Sequence, residues 1–313
     1  MVTQASTREA YGKTLLELGR ENTNIVVIGG DLNKSTMTTF FAKEFPDRFF
    51  DCGAAEQNMM GISAGLASSG KIPFVSTFAV FGSGRPFDQI RISIAQARAN
   101  VKIVVTHAGI ITGTDGMSAH GIEDLALMCS LVGFTVVVPA DARETAQVIR
   151  SVAQMDGPCY VRLSRPATPL ICPEAYRFQP GKASVFRPGD DVSILATGIM
   201  VAKALEAAET LAGEGIDARV VNVSTLKPID QECIIRCAHE TGAVVTAEEH
   251  LKHGGLGSIV SQVLVENYPV PVSTVAIEDV YSHSGEADEL LELRGLTHEK
   301  IEVAVRGVMA RKG

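Results

Sequence analysis

The chain has 313 residues, a mass of 33.2 kDa and a formal net charge of −8, a length that predicts two domains of ordinary size. Hydrophobic residues make up 46% and charged residues 20%, which excludes disordered, collagen-like and coiled-coil classes; no apolar run approaches the ~18 residues of a bilayer span, and the N-terminal MVTQASTREAYGK has no apolar signal segment. No basic run or tail is present, which argues against nucleic acid as a partner but allows a few arginines to converge on one small anion.

Short β-branched apolar runs alternate with longer helical patterns. The first part predicts strands at Asn24–Gly29, Arg48–Asp51, Pro73–Thr77, Lys102–His107, Thr135–Val138 and Tyr160–Leu163. Helices are predicted at Thr7–Gly19, Gln57–Ala67, Phe87–Ala97, Ile122–Leu131 and Ala142–Ala153. Near-continuous apolar strands separated by helices indicate a parallel sheet covered on both faces. Five prolines, Pro166, Pro169, Pro173, Pro180 and Pro188, then mark residues 166–188 as an extended linker. The alternation resumes with strands at Val192–Ala196, Ala218–Asn222, Ala243–Ala247 and Val272–Ala276, and with helices at Met200–Leu211, Gln231–His239, Leu256–Glu266 and His298–Met309. The expectation is an α/β chain of two doubly wound domains, residues 1–165 and 189–313, the first built on a parallel sheet. The six cysteines form no C-x-x-C pair and read as buried free thiols of a reducing, cytoplasmic setting; Cys233 and Cys237 share a helix face but have no second pair with which to hold zinc.

Ligands of open α/β sheets bind at the carboxyl ends of the strands, and in the first domain these ends are polar. They carry Gly30-Asp31-Leu32-Asn33-Lys34-Ser35, Gly53-Ala54-Ala55-Glu56-Gln57-Asn58, Phe78-Ala79-Val80-Phe81-Gly82-Ser83-Gly84-Arg85, His107 with Gly113, Asp115, Gly116 and Ser118 beyond it, and Ser164-Arg165-Pro166. Taken singly, each has an ordinary explanation: Glu56 as a first-turn helix acid, the phenylalanines as core, His107 as a satisfied strand-end histidine, the glycines as turns. Together, five strand ends on one edge carry Asp, Ser, Glu, Phe, His and Arg. No Walker A, G-x-S-x-G or G-x-G-x-x-G sequence occurs, which removes support from three common enzyme classes.

Gly53-Ala54-Ala55-Glu56-Gln57-Asn58-Met59 resembles the thiamine-diphosphate motif of transketolases, in which a glutamate precedes a helix, and Gly295-Leu296-Thr297 matches the pattern of their C-terminal domain. The resemblance covers nearly the whole chain and corresponds to the pyrimidine-binding domain and the smaller, mixed-sheet C-terminal domain, so the chain looks like the C-terminal subunit of a split-gene transketolase. It implies that Glu56 contacts the aminopyrimidine and promotes the tautomer that takes the thiazolium C2 proton, that Phe78 and Phe81 form the aromatic pocket around the ring, and that Asp31 lies beside the cofactor and the subunit interface. It further implies a sugar-phosphate site of Arg8, Ser35, His107 and Arg165, with Asp115 on a sugar hydroxyl.

Two departures stand out. The family usually reads Asp-Gly-Pro-Thr-His where this chain has Asp115-Gly116-Met117-Ser118-Ala119-His120, so the histidine position holds Ala119 and His120 follows one place later. Either a shifted loop brings His120 to the sugar or the usual imidazole is missing; with Glu123 in register, the second is favoured. Gly82-Ser83-Gly84 also departs from the pattern and leaves the pocket's third aromatic open, with Phe87 as a candidate. No G-D-G occurs, so the resemblance implies a companion chain holding Mg²⁺ or Ca²⁺ and the diphosphate, and a heterotetramer of two chains of each kind. The reaction implied is transfer of a two-carbon ketol unit from a ketose phosphate to an aldose phosphate. Rival readings are the β subunit of a 2-oxo acid dehydrogenase, opposed by the sugar-phosphate residues; the C-terminal part of a deoxyxylulose-phosphate synthase, opposed by Leu163-Ser164-Arg165-Pro166; and a non-catalytic regulatory paralogue, favoured by Ala119 and opposed by Glu56.

Overall fold

The computed structural model describes residues 3–312. In the first part, strands β1 (Gln4–Ser6), β2 (Ile25–Gly29), β3 (Phe49–Asp51), β4 (Ile72–Ser76), β5 (Lys102–Val105), β6 (Thr135–Val137), β7 (Cys159–Arg162) and β8 (Ala167–Pro169) alternate with helices α1 (Thr7–Glu21), α2 (Thr39–Glu44), α3 (Glu56–Ser68), α4 (Ala79–Ser83), α5 (Phe87–Gln89), α6 (Asp124–Ser130) and α7 (Ala142–Gln154). The second part runs β9 (Ser184–Arg187), β10 (Val192–Ala196), α8 (Met200–Gly213), β11 (Ala218–Asn222), β12 (Thr225–Lys227), α9 (Gln231–Thr241), β13 (Val244–Leu251), α10 (Leu256–Asn267), β14 (Val272–Ile277), α11 (Ala287–Leu293) and α12 (His298–Met309).

The chain forms two α/β layers. The first sheet has the order β12-β6-β7-β5-β4-β2-β3 and is parallel except for β12, which pairs antiparallel to β6. The second, smaller sheet is mixed, in the order β14-β13-β10-β11-β9, with β9 antiparallel to β11. Successive side chains of a strand point to opposite faces. In β2, Ile25 and Val27 therefore pack with Tyr11, Leu15, Val148 and Ile149 of α1 and α7 on one face. Val26 and Ile28 pack with Met59, Met60, Ile90 and Ile94 on the other. Burial of such a side chain stabilises by about 1.5–3 kcal/mol, so both faces of this strand hold the layer together.

The expected helices and long strands are present, with differences at particular places. The predicted Phe87–Ala97 helix is one turn, α5, running on into a π-helix over Ile90–Gln96. The predicted Ile122–Leu131 helix begins only at Asp124, and β13 continues four residues past Ala247. The proline-rich stretch holds two short strands: β8 pairs antiparallel with β1, and β9 joins the second sheet. Cys159, Cys172, Cys233 and Cys237 are buried free thiols, whereas Cys52 and Cys129 are half-buried.

The order of the first sheet fixes where a ligand can sit. From β2 the chain steps to β3 on one side and then to β4 on the other. The loops leaving the carboxyl ends of β2 and β4 consequently part and leave a crevice between them.

Candidate active site

Glu56 opens α3, and its carboxyl is buried, with 5% exposure. Among the described residues its hydrogen-bond partner is Arg85, whose Nη1 donates to Oε1 at 2.9 Å. The Arg85 guanidinium lies over the Phe81 ring, 4.1 Å from its centroid. Phe81 and Phe78 stack with centroids 5.9 Å apart and planes 14° from parallel. Phe78 in turn stacks on the His107 imidazole, with centroids 3.7 Å apart. Four flat groups thus form one ladder from Arg85 to His107. Beside it, Ala54, Ala55, Glu56, Gln57, Asn58 and Arg85 line a cavity of about 530 Å³. Phe87 packs on the core behind α3 and takes no part in the ladder.

Asp31 is exposed on the loop after β2, in the left-handed region at φ 61°. That conformation is held by Asp51 at the end of β3. Its carboxyl accepts the Asp31 and Gly53 amides at 3.1 and 3.0 Å and the Asn33 side-chain amide at 2.6 Å. These bonds, the one from Gly53 foremost, keep Asp51 below the usual carboxylate range. Asp51 therefore sets both the Asp31 loop and the turn that leads into Glu56.

At the other end of the ladder two arginines and a histidine meet. Arg8, in the first turn of α1, donates from Nε to the Arg165 carbonyl at 2.9 Å and from Nη1 to the Ser35 carbonyl at 2.6 Å. Burial, with Arg165 adding like charge, lowers its pKa. Arg165 donates from Nη1 to the Thr112 carbonyl, and its Nη2 lies 3.6 Å from Asp115. His107, at φ 53°, is pushed down to about 3 by burial and by both arginines, so its ring is neutral. Arg8 and Arg165 line a cavity of about 310 Å³ with Gly113, Thr114 and residues 285–287. Ser35 lies across Arg8 in a second cavity of about 780 Å³, together with Lys34 and Lys43.

Asp115 sits between Gly113 and Gly116, at φ 75° and 82°. The Gly116 backbone, at φ 82° and ψ 177°, lies where a side chain is strained, so glycine is required there. His120 faces inward. It is 2% exposed, its Nε2 is 3.1 Å from the Gly113 carbonyl, and its buried Nδ1 has no partner. The imidazole braces the loop that carries Asp115 from behind and does not line the cavity of Arg8 and Arg165.

The model of the transketolase pyrimidine-binding domain matches residues 3–170, and that of the transketolase C-terminal domain matches residues 181–301. The chain belongs to the transketolase family. It is 44% identical over 305 residues to a 6-deoxy-6-sulfo-D-fructose transketolase subunit of Clostridium sp. strain MSTE9, covering 97% of this chain and 95% of that one. It is 39% identical over 295 residues to an apulose-4-phosphate transketolase subunit of Phocaeicola vulgatus, covering 94% of each. A solved structure described as a split gene transketolase, inactive beta4 tetramer, superimposes with a TM-score of 0.91 at 51% identity, covering 99% of this chain and all of that one.

Other residues of this transketolase site escape sequence reasoning. Arg85 is visible in sequence only as the last residue of the polar loop Phe78–Arg85, with no role attached to it. Asp51 ends a three-residue strand. Glu249 of β13 is buried, and its Oε1 accepts the Ile111 amide at 2.9 Å. The available signal was Glu248-Glu249 inside an apolar strand, because paired acids that enter a core must find partners there. Arg162 supplies part of the answer: it donates from Nε to both Asp124 oxygens, at 2.9 and 3.2 Å, and from Nη2 to the Glu249 carbonyl at 2.9 Å.

Proposed function

We propose that this chain is the pyrimidine-binding subunit of a split transketolase, moving a two-carbon ketol unit from a ketose phosphate to an aldose phosphate. A companion chain would supply the diphosphate and metal site. Among the described residues no cluster of three or more His, Cys, Asp or Glu side chains is placed to hold a metal ion. The observation that carries the reading is the Phe78–His107 stack at 3.7 Å, which joins a buried carboxyl and two phenylalanines to a site of converging arginines.

The residues present fit thiamine diphosphate. A flat group that donates a hydrogen bond to Glu56 while lying on Phe81 is accommodated, as the Arg85 guanidinium demonstrates. Glu56 would hold a proton at the pyrimidine ring nitrogen, and Phe78 and Phe81 would exclude water from the ring faces. When bound, the cofactor supplies the nucleophilic carbon on which ketose cleavage depends. Arg8, Arg165 and neutral His107 would fix the phosphate end of the sugar through charge-assisted hydrogen bonds, while Asp115 meets a hydroxyl. The relatives named for a sulfo sugar and for apulose 4-phosphate act on sugars with different anionic termini, and a pair of arginines serves either kind of terminus.

The test is reconstitution with a diphosphate-binding companion, followed by transfer from a ketose phosphate to an aldose phosphate. Turnover that requires both chains and thiamine diphosphate is expected. Robust turnover by this chain alone, or by the pair without thiamine diphosphate, would overturn the reading.

A further inference from the structure

Arg85 has no role in the assignments above, yet it makes the contacts a bound ring would make. A guanidinium is planar, cationic and rich in N–H donors. Here one N–H meets the Glu56 carboxyl at 2.9 Å while the plane covers Phe81 at 4.1 Å. An aminopyrimidine held by the same two residues would share a proton between its ring nitrogen and the carboxyl and lay its face on the phenyl ring. Both cannot lie on one face of Phe81 and hydrogen-bond one carboxyl oxygen together.

We propose that Arg85 is a placeholder for the aminopyrimidine: it closes the ring pocket of the unliganded chain and must swing out for the cofactor to enter. The proposal rests on the thiamine-diphosphate reading. Three features make Arg85 a group that can leave. Its side chain is 53% exposed, against 5% for Glu56, so the guanidinium can pass into water as it leaves while an incoming ring takes over the buried carboxyl. Its backbone is anchored separately, the carbonyl accepting from Gln57 Nε2 at 3.3 Å, so the side chain can rotate out while the loop stays. The adjoining cavity of about 530 Å³, lined by residues 54–58, is open space into which a ring can be admitted. The placeholder also has a function while no ligand is bound: it partners a buried carboxyl and covers an aromatic face that would otherwise meet water.

The test is titration of the full chain, followed by ligand-detected NMR, with two probes: uncharged 4-amino-5-hydroxymethyl-2-methylpyrimidine, and thiamine diphosphate with Mg²⁺. If Arg85 competes for the ring pocket, Arg85→Ala binds both probes about tenfold more tightly, whereas Arg85→Lys, which keeps the charge but not the flat fork, falls between the two. Overturning results are a variant that binds the pyrimidine no tighter than wild type, or one that loses thiamine diphosphate alone, which would make Arg85 a ligand for the charged part of the cofactor. Failure of both probes to bind either protein, alone and together with the diphosphate-binding companion chain, would remove the cofactor reading and the placeholder together; pyrimidine binding without a gain in Arg85→Ala removes only the placeholder.

Discussion

Glu249, in the second sheet, accepts the backbone N–H of Ile111, in the first layer, at 2.9 Å. Ile111 lies in the short 3₁₀ segment that ends at Asp115, so one carboxyl on β13 holds the start of the loop that carries Asp115. Arg162 closes the arrangement by binding the Glu249 carbonyl and Asp124 from the other side. The C-terminal layer thereby enters the site without contributing any of the residues expected to touch substrate.

Glu249 should make stability pH-dependent. Burial, outweighing Arg162, pushes its pKa from 4.5 up to about 7, and Glu248 is raised likewise. The folded state then holds protons that the unfolded chain releases, so the contribution is complete below pH 4.5 and is lost as pH rises through about 7. Denaturant unfolding of wild type between pH 5 and 8 should show this decline, and Glu249→Gln should show a shallower one. Parallel slopes in the two proteins would place the titration elsewhere.

Glu56→Gln should leave folding intact and reduce turnover of the reconstituted enzyme by ~10²–10⁴-fold, the usual range for a positioned proton-transfer group. Glutamine preserves the volume and a hydrogen bond but cannot hold the ring proton. Undiminished turnover in a properly assembled variant would dismiss the assignment.

Arg8→Ala and Arg165→Ala should raise KM for phosphorylated sugars more than for unphosphorylated analogues. Each removes a charge-assisted bond of about 1.5–3 kcal/mol. Each also loosens a loop, since Arg8 ties Ser35 to Arg165 and Arg165 ties Thr112. Steady-state kinetics on paired substrates separates the roles: equal losses on both would mean that the arginines only hold loops together.

His120→Ala should cost about 1–3 kcal/mol of stability, through the lost bond to Gly113 and the packing around it, and should lower kcat/KM less than fivefold, on the order of 1 kcal/mol of transition-state binding. Ala119→His, which restores the family's residue, should shift the preference among ketose donors. Melting curves and kinetics on the same preparations check both. A tenfold kinetic loss in His120→Ala at unchanged stability would put the imidazole on the substrate.

What the sequence reveals here follows contact range. The long helices declare themselves through apolar spacing, and the strands between them through β-branched runs, because both signals are local. Strands β1, β8, β9 and β12 run three or four residues and exist only because a partner elsewhere in the chain pairs with them, so no local pattern announces them. The site divides the same way. Glu56, Phe78, Phe81, His107 and Arg165 lie at loops that the strand order alone places on one edge. Arg85, Asp51 and Glu249 act through contacts 29, 20 and 138 residues away in sequence, and their character becomes visible only when those contacts close.

The antiparallel strand β12, Thr225–Lys227, completes the edge of the first sheet from beyond the proline-rich stretch. Lys227 reinforces it, its Nζ donating to the Cys129 and Leu131 carbonyls at 2.7 and 2.6 Å. As the chain emerges from the ribosome, the first layer is therefore left with β6 as a bare edge until residue 227 is available, about sixty residues after the layer's last parallel strand has been made. An uncovered edge of this kind invites pairing with other nascent chains. Truncation between the two layers would leave it permanently open, so the layers are expected to fold and to resist proteolysis as one cooperative unit, although each has a sheet of its own.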